Sequence, residues 1–248
     1  MDRLIYTAMT GASQVFSRQA AVANNLANVS TSGYRAEEHR LRAVQVQSRS
    51  AQLPTRAFAA DASTHTDFSP GAQMFTGRPF DLVVQGQGWF AVQTADGKEA
   101  YTRDGGFEVD PNGVLRNRAG LAVQGDGGMI TVPPDVRVSV GRDGTVSTVQ
   151  ENGARNSVSV IGRVKLVNPP ETDLARGEDG LFRTRNGLPA EINDQVRIAE
   201  GYIEGSNVNV SEQIVDMISL ARQFEMQMKM LSTADSNDQA ATKILASQ

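Results

Sequence analysis

Glycine and proline are confined to the middle of this chain, and that partition restricts its fold more than any other property. Of 23 glycines only Gly11 and Gly33 precede residue 71 and none follows Gly205, while all nine prolines lie between Pro54 and Pro189. Both residues interrupt regular helix. Long helices are therefore expected only at the two ends.

Each end carries an apolar repeat. From Val210 the residues Ile214, Met217, Ala221, Phe224, Met228, Leu231, Asp235, Asp238, Thr242 and Leu245 keep a 4,3 spacing, the mark of a helix seam. Near the N-terminus Ile5, Ala8, Ala12, Val15, Gln19, Val22, Leu26 and Val29 keep the same spacing. Leu4, Met9, Phe16, Ile218 and Leu220 flank these seams where a two-stranded coil would carry charge. The apolar faces are thus wider than one partner covers, and the helices are expected to pack between subunits, the plainer alternative being an intramolecular two-helix stalk. Ser30 to Gly33 ends the first helix, and Ser211 is expected to cap the second.

Between the ends the pattern is β. Turn dipeptides recur at Asp96-Gly97, Asp104-Gly105, Asn112-Gly113, Asp126-Gly127, Asp143-Gly144, Asn152-Gly153, Asp179-Gly180 and Asn186-Gly187. Runs such as Trp89 to Thr94, Val136 to Val140 and Val158 to Val167 lie between them, as in an antiparallel β domain. Residues 36 to 75 have no strong period: Arg40, Leu41, Val44 and Val46 suggest a short piece before Pro54, and ADASTHTDFSPGAQ reads as loop. The expected fold class is α+β, with long N- and C-terminal helices in a coiled-coil-like bundle and an inserted, mainly antiparallel β domain. The expected boundaries are 1–35 and 205–248 for the helical part, 36–75 for an arm and 76–204 for the β domain.

Composition narrows the chemistry. A net charge of -4 without a basic cluster argues against a phosphate-tracking nucleic-acid surface. Cysteine is absent, which removes disulfides, thiolate metal sites and a cysteine nucleophile. No 18-residue apolar run suggests a membrane span, and the start MDRLIYTAMTGASQVFSRQ lacks the apolar core of a cleaved signal.

Three constellations could carry chemistry, and each has a plainer explanation. Gly86, Gly88 and Ala91 match G-x-G-x-x-A, but a dinucleotide site needs a helix at the second glycine, and Trp89 to Val92 continues as strand. His39 and His65 are not spaced as metal ligands. Asp104, Glu108 and Asp110 resemble a hydrolase carboxylate set, but RDGG and DPNG are turn sequences in which Asp is expected. No catalytic, cofactor or metal residue is expected, and the chain is not read as an enzyme.

Three blocks carry a family resemblance. Ala23-Asn24-Asn25-Leu26-Ala27-Asn28 with Thr31, Gly33 and Tyr34 resembles the signature of bacterial flagellar rod and hook proteins. Asp81 to Val84 with Gly86, Gly88, Trp89, Phe90, Val92, Tyr101, Thr102, Arg103, Gly105, Phe107, Asp110 and Gly113 is similar to their β-domain block. Glu204 to Asn209 with Met217, Ile218, Arg222, Phe224 and Glu225 is similar to their C-terminal block. The start and the length near 250 are similar to the proximal-rod members.

The resemblance implies a structural subunit of the rod, the drive shaft crossing the periplasm. It implies helical self-assembly, distal and other proximal rod proteins as partners, and delivery by the flagellar type III export apparatus without a cleaved signal. The apolar seams, with the asparagines near the end of the first helix, place the expected assembly interface on Ile5, Ala12, Val15, Val22, Asn25, Leu26, Asn28, Ile214, Met217, Ala221, Phe224, Met228 and Leu231. Distal-rod or hook membership, or an envelope hydrolase with helical anchors, are the alternatives.

Overall fold

The computed structural model describes residues 2–45, 57–134, 136–150 and 158–246. The Asn152-Gly153 turn, Val46 and Pro54 lie outside the described residues. The chain divides into two units, one of residues 1–29, 36–67 and 208–248 and one of residues 30–35 and 68–207.

Unit 1 contains α1 (Asp2–Ala27), the hairpin of β1 (Glu37–Gln45) and β2 (Ala57–Thr66), and α2 (Val210–Ala246). The hairpin replaces the expected arm, and ADASTHT runs as strand. Its antiparallel register pairs Glu37 with Thr66 and Gln45 with Ala57, with a bulge at Arg40/Leu41. The sequence of Ala57–Thr66 lacks the apolar–polar alternation by which a strand is recognised, so its order shows only in the cross-strand pairing.

Helix α1 ends where Asn28 turns back, its Nδ2 donating to Asn24 O at 3.0 Å and to Asn24 Oδ1 at 2.9 Å. Helix α2 is capped by Asn209, whose Oδ1 accepts from the backbone N–H of Ser211 at 3.1 Å and of Glu212 at 3.4 Å. The expected cap, Ser211, already lies inside the helix.

Unit 2 is β. In chain order its strands are β3 (Gln73–Phe75), β4 (Leu82–Gln85), β5 (Trp89–Gln93), β6 (Glu99–Thr102), β7 (Phe107–Val109) and β8 (Leu115–Asn117). Then come β9 (Ala122–Gly125), β10 (Gly128–Met129), β11 (Val136–Val140), β12 (Thr145–Gln150), β13 (Val158–Arg163) and β14 (Leu166–Val167). The last are β15 (Leu174–Arg176), β16 (Phe182–Thr184), β17 (Arg197–Glu200) and β18 (Tyr202–Glu204). The largest sheet has nine strands, with β5 between β6 and β9, and its pairings are antiparallel. Strand β5 is buried on both faces: Phe90 meets Phe107 edge-on at 5.2 Å in one core, and Trp89 meets Phe182 at 4.7 Å in another.

The expected fold class needs correction. Among the described residues there are two α-helices and one 3-10 turn, Glu171–Asp173, against eighteen strands in five sheets, so the protein is mainly β and the terminal helices form no coiled-coil bundle. The repeat in α2 misled because seven-residue spacing fixes a period but not which of two adjacent rows turns inward. Leu220 and Ala234 are the buried apolar residues of α2, whereas Ile214 and Met228 are exposed. The inward row is Gln213, Met217, Leu220, Phe224, Gln227, Leu231 and Ala234. It shares three positions with the expected seam and is one residue off at the others.

Candidate assembly surface and the buried charge cluster

Two contacts fix how α1 and α2 meet. Asn25 Nδ2 donates to Gln213 Oε1 at 3.2 Å, and the Gln227 side chain lies 3.3 Å from where a Cβ on Gly11 would sit. The contact points are fourteen residues apart on each helix and run in opposite chain directions, so the pair is antiparallel and in step. Counted along that register, α1 is exhausted near Ser236, and α2 continues to Ala246. From Asp235 to Ala240 every α2 residue is exposed.

Pairing leaves apolar side chains uncovered on both helices. Tyr6, Met9 and Phe16 of α1 are 55–65% exposed. On α2, Val215, Ile218 and Met226 are 50–64% exposed and, with Ser219, Arg222 and Gln223, line a shallow groove. Among the sequence-predicted residues, Ala12, Val15 and Asn25 are buried inside unit 1 and Ile214 and Met228 are exposed. Ile5, Val22, Leu26, Asn28, Met217, Ala221, Phe224 and Leu231 are half-buried.

A second constellation lies wholly within unit 2. Glu204 is buried between two arginines: its Oε1 accepts from Arg35 Nη2 at 2.6 Å and its Oε2 from Arg103 Nε at 2.8 Å. Glu204 Oε1 also accepts from Gly71 N at 2.9 Å. Arg103 turns its other nitrogens on Gly88 O and Gly86 O, at 2.6 and 2.9 Å, and its guanidinium lies 5.8 Å from the Trp89 ring centre. Burial, and to a lesser degree the neighbouring Arg35 charge, lowers the Arg103 pKa, while Glu204 opposes the shift. Arg176 stacks on Tyr34 at 4.5 Å and donates to Arg35 O at 2.9 Å.

Sequence reasoning quoted Arg103 and Glu204 within motifs but did not join them, and it passed over Arg35. Gly33, also quoted within a motif, has a φ of +69°, and a Cβ there would come within 2.2 Å of Asp104 N.

The alternative chemistries find no geometry. Gly86 and Gly88 make the β4–β5 turn with positive φ, and strand, not helix, follows. Asp110 holds the backbone N–H of Asn112 and Val114 and pairs with Arg116 at 2.7 Å, which lowers its pKa. Glu108 faces Arg78 at the surface. Among the described residues no group of three His, Asp or Glu could hold a metal, and no helix is long and apolar enough to cross a membrane.

Three family profiles match the chain: "Flagella basal body rod protein" over residues 5–35, "Flagellar hook protein FlgE/F/G D1 domain" over 83–148 and "Flagellar basal body rod FlgEFG protein C-terminal" over 199–244. The chain is 43% identical to the flagellar basal-body rod protein FlgF of Escherichia coli (strain K12), covering 99% of both chains. It is 34% identical to FlgF of Caulobacter vibrioides, covering 98% of both. It is 32% identical to FlgG of Buchnera aphidicola subsp. Schizaphis graminum over 86% of this chain and 88% of that one. With full-length identity to FlgF proteins and all three profiles in order, the chain belongs to the FlgF family of flagellar basal-body rod proteins, structural subunits and not enzymes.

Proposed function

We propose that this subunit assembles helically with copies of itself and with other rod and hook components into the proximal part of a hollow shaft that carries torque across the periplasm. The observation that carries this is the pair of uncovered apolar stripes in unit 1. Tyr6, Met9 and Phe16 occupy one helix, and Val215, Ile218 and Met226 occupy the other. Large side chains left this exposed on two different faces favour contacts with a neighbour. Because the two faces are not equivalent, such contacts are head-to-tail, which builds rings or open helices instead of closed dimers.

Ile214 and Met228 extend the α2 stripe, and the half-buried Ile5, Val22, Leu26, Asn28, Met217, Ala221, Phe224 and Leu231 border the contact. Delivery by the flagellar type III export apparatus accompanies this role. The family resemblance supports both that route and the periplasmic location.

The test is Val215→Asp combined with Ile218→Asp in a strain lacking its own copy. Both side chains point away from the α1 seam, so helix content and unfolding midpoint of the purified chain stay as in the parent. Incorporation into isolated rods, read by immunoblot, should be lost together with motility. Normal rods in that strain overturn the reading.

A further inference from the structure

Glu204 sits where every crossing of the chain out of unit 2 comes together. The chain passes between the two units after Val29, Arg35, Asp67 and Asn207. On the unit 2 side of those points, the Glu204 carboxylate binds Arg35 from the first two crossings and the Gly71 amide beyond the third, and its own peptide oxygen accepts from Gly33 N at 2.8 Å. Asn207 completes the set: its N–H donates to Tyr34 O at 3.4 Å, and its Nδ2 donates to Ser69 O at 3.2 Å. Three segments far apart in sequence, 30–35, 69–71 and 204–207, are thus fastened to one another before the chain leaves the unit.

We infer that Glu204 is a clamp that makes these crossings a single cooperative element, so that they open together or not at all. The charge count supplies the mechanism. One buried carboxylate faces two buried guanidiniums, Arg35 and Arg103, whose side chains are 1% and 4% exposed. Removing one partner from a buried ion pair leaves an uncompensated charge, which costs far more than the pair contributes. Neutralising Glu204 leaves two like charges facing each other. Freeing segment 204–207 alone strands both guanidiniums, and freeing segment 30–35 alone takes the charged donor from Glu204 Oε1 together with the Gly33 N–H and the Tyr34 carbonyl that hold residues 204–207, so neither segment has a low-cost way to leave by itself.

The experiment is amide hydrogen exchange on the full chain, comparing the parent with Glu204→Gln, Arg35→Met and the double variant. In Glu204→Gln, protection at Gly33, Gly71 and Asn207 should fall together by at least about tenfold, the factor of one lost interaction near 1.4 kcal/mol. Ala91, in the middle of β5, should keep its protection. Adding Arg35→Met to Glu204→Gln should restore part of the loss at Gly71 and Asn207, because it removes one of the two facing guanidiniums.

Loss confined to residues 204–207, or no recovery in the double variant, overturns the clamp. Should Glu204→Gln fail to fold, Asn207→Ala tests the same cooperativity without a buried charge. It should raise exchange at Gly33 and Gly71 as well as at its own segment, and a response limited to residues 206–208 refutes the proposal.

Discussion

Asn25 treats the peptide of Glu37 as a strand neighbour would, its Nδ2 donating to Glu37 O at 2.9 Å and its Oδ1 accepting from Glu37 N at 2.9 Å. The remaining Nδ2 hydrogen reaches Gln213 of α2, so one 2%-exposed side chain joins α1, the first strand of the hairpin and α2. Asn25→Ala removes both of these bonds to the Glu37 peptide and should lower the unfolding free energy by about 2–4 kcal/mol. Asn25→Asp should be worse, since it turns an acceptor toward Glu37 O. Urea titration followed by circular dichroism measures both, and an Asp variant as stable as the parent refutes the pairing.

The inward row of α2 makes a separable claim. Leu220→Ala should cost about 2–3 kcal/mol, because Leu220 is 2% exposed and its removal leaves a cavity. Ile214→Ala should cost less than about 0.5 kcal/mol in the isolated chain. Equal losses would restore the seam expected from the heptad spacing.

Glycine matters very differently at two turns of unit 2. Gly33→Ala must both hold a positive φ and push a methyl against Asp104 N, so a loss above about 3 kcal/mol or failure to fold is expected. Gly86 also has positive φ, but a methyl there would meet nothing within 4 Å. Gly86→Ala should therefore cost only about 1 kcal/mol. Thermal unfolding separates the two, and a mild Gly33→Ala would show that the approach to Asp104 is relieved by movement.

Acid stability follows from carboxylates shifted in opposite directions. The Arg116 bond holds Asp110 below the usual 3.8, so its contribution is present above that value and is lost as pH falls through the folded-state pKa. Asp110→Asn should lower the urea midpoint at pH 7, and the gap should close progressively below about pH 4. Burial raises Asp104, so its ionisation opposes folding at neutral pH. Asp104→Asn, which can still accept from Gly106 N, should gain at pH 7 and lose that advantage on acidification. A gap that does not change with pH would rule out both assignments.

Much of unit 2 was legible because Asp-Gly and Asn-Gly pairs carry local instructions. Gly97, Gly113, Gly144, Gly180 and Gly187 all have positive φ at the expected turns. Gly105 shows the limit of that reading. It lies in an Asp-Gly pair, yet a Cβ there would meet Leu82 O at 1.8 Å, so the glycine serves a close approach between distant segments and not the turn. The β1–β2 hairpin was missed for a related reason, since its order resides in pairing between strands that show no period of their own. The Arg35–Glu204–Arg103 cluster was equally hidden: its members are 68, 101 and 169 positions apart, and no single segment records such a partnership. The apolar repeats pointed to helices at both ends but not to a protein that is mainly β, and they did not fix which row of α2 turns inward.

The convergence of the four crossings on one side-chain cluster frees the rest of unit 2 from any part in spacing its own attachment. Whatever bulk is added at β8–β9, the chain leaves and rejoins through the same few atoms. Within unit 2, loops outside residues 30–35, 69–71 and 204–207 are the places where its outline can vary at least structural cost.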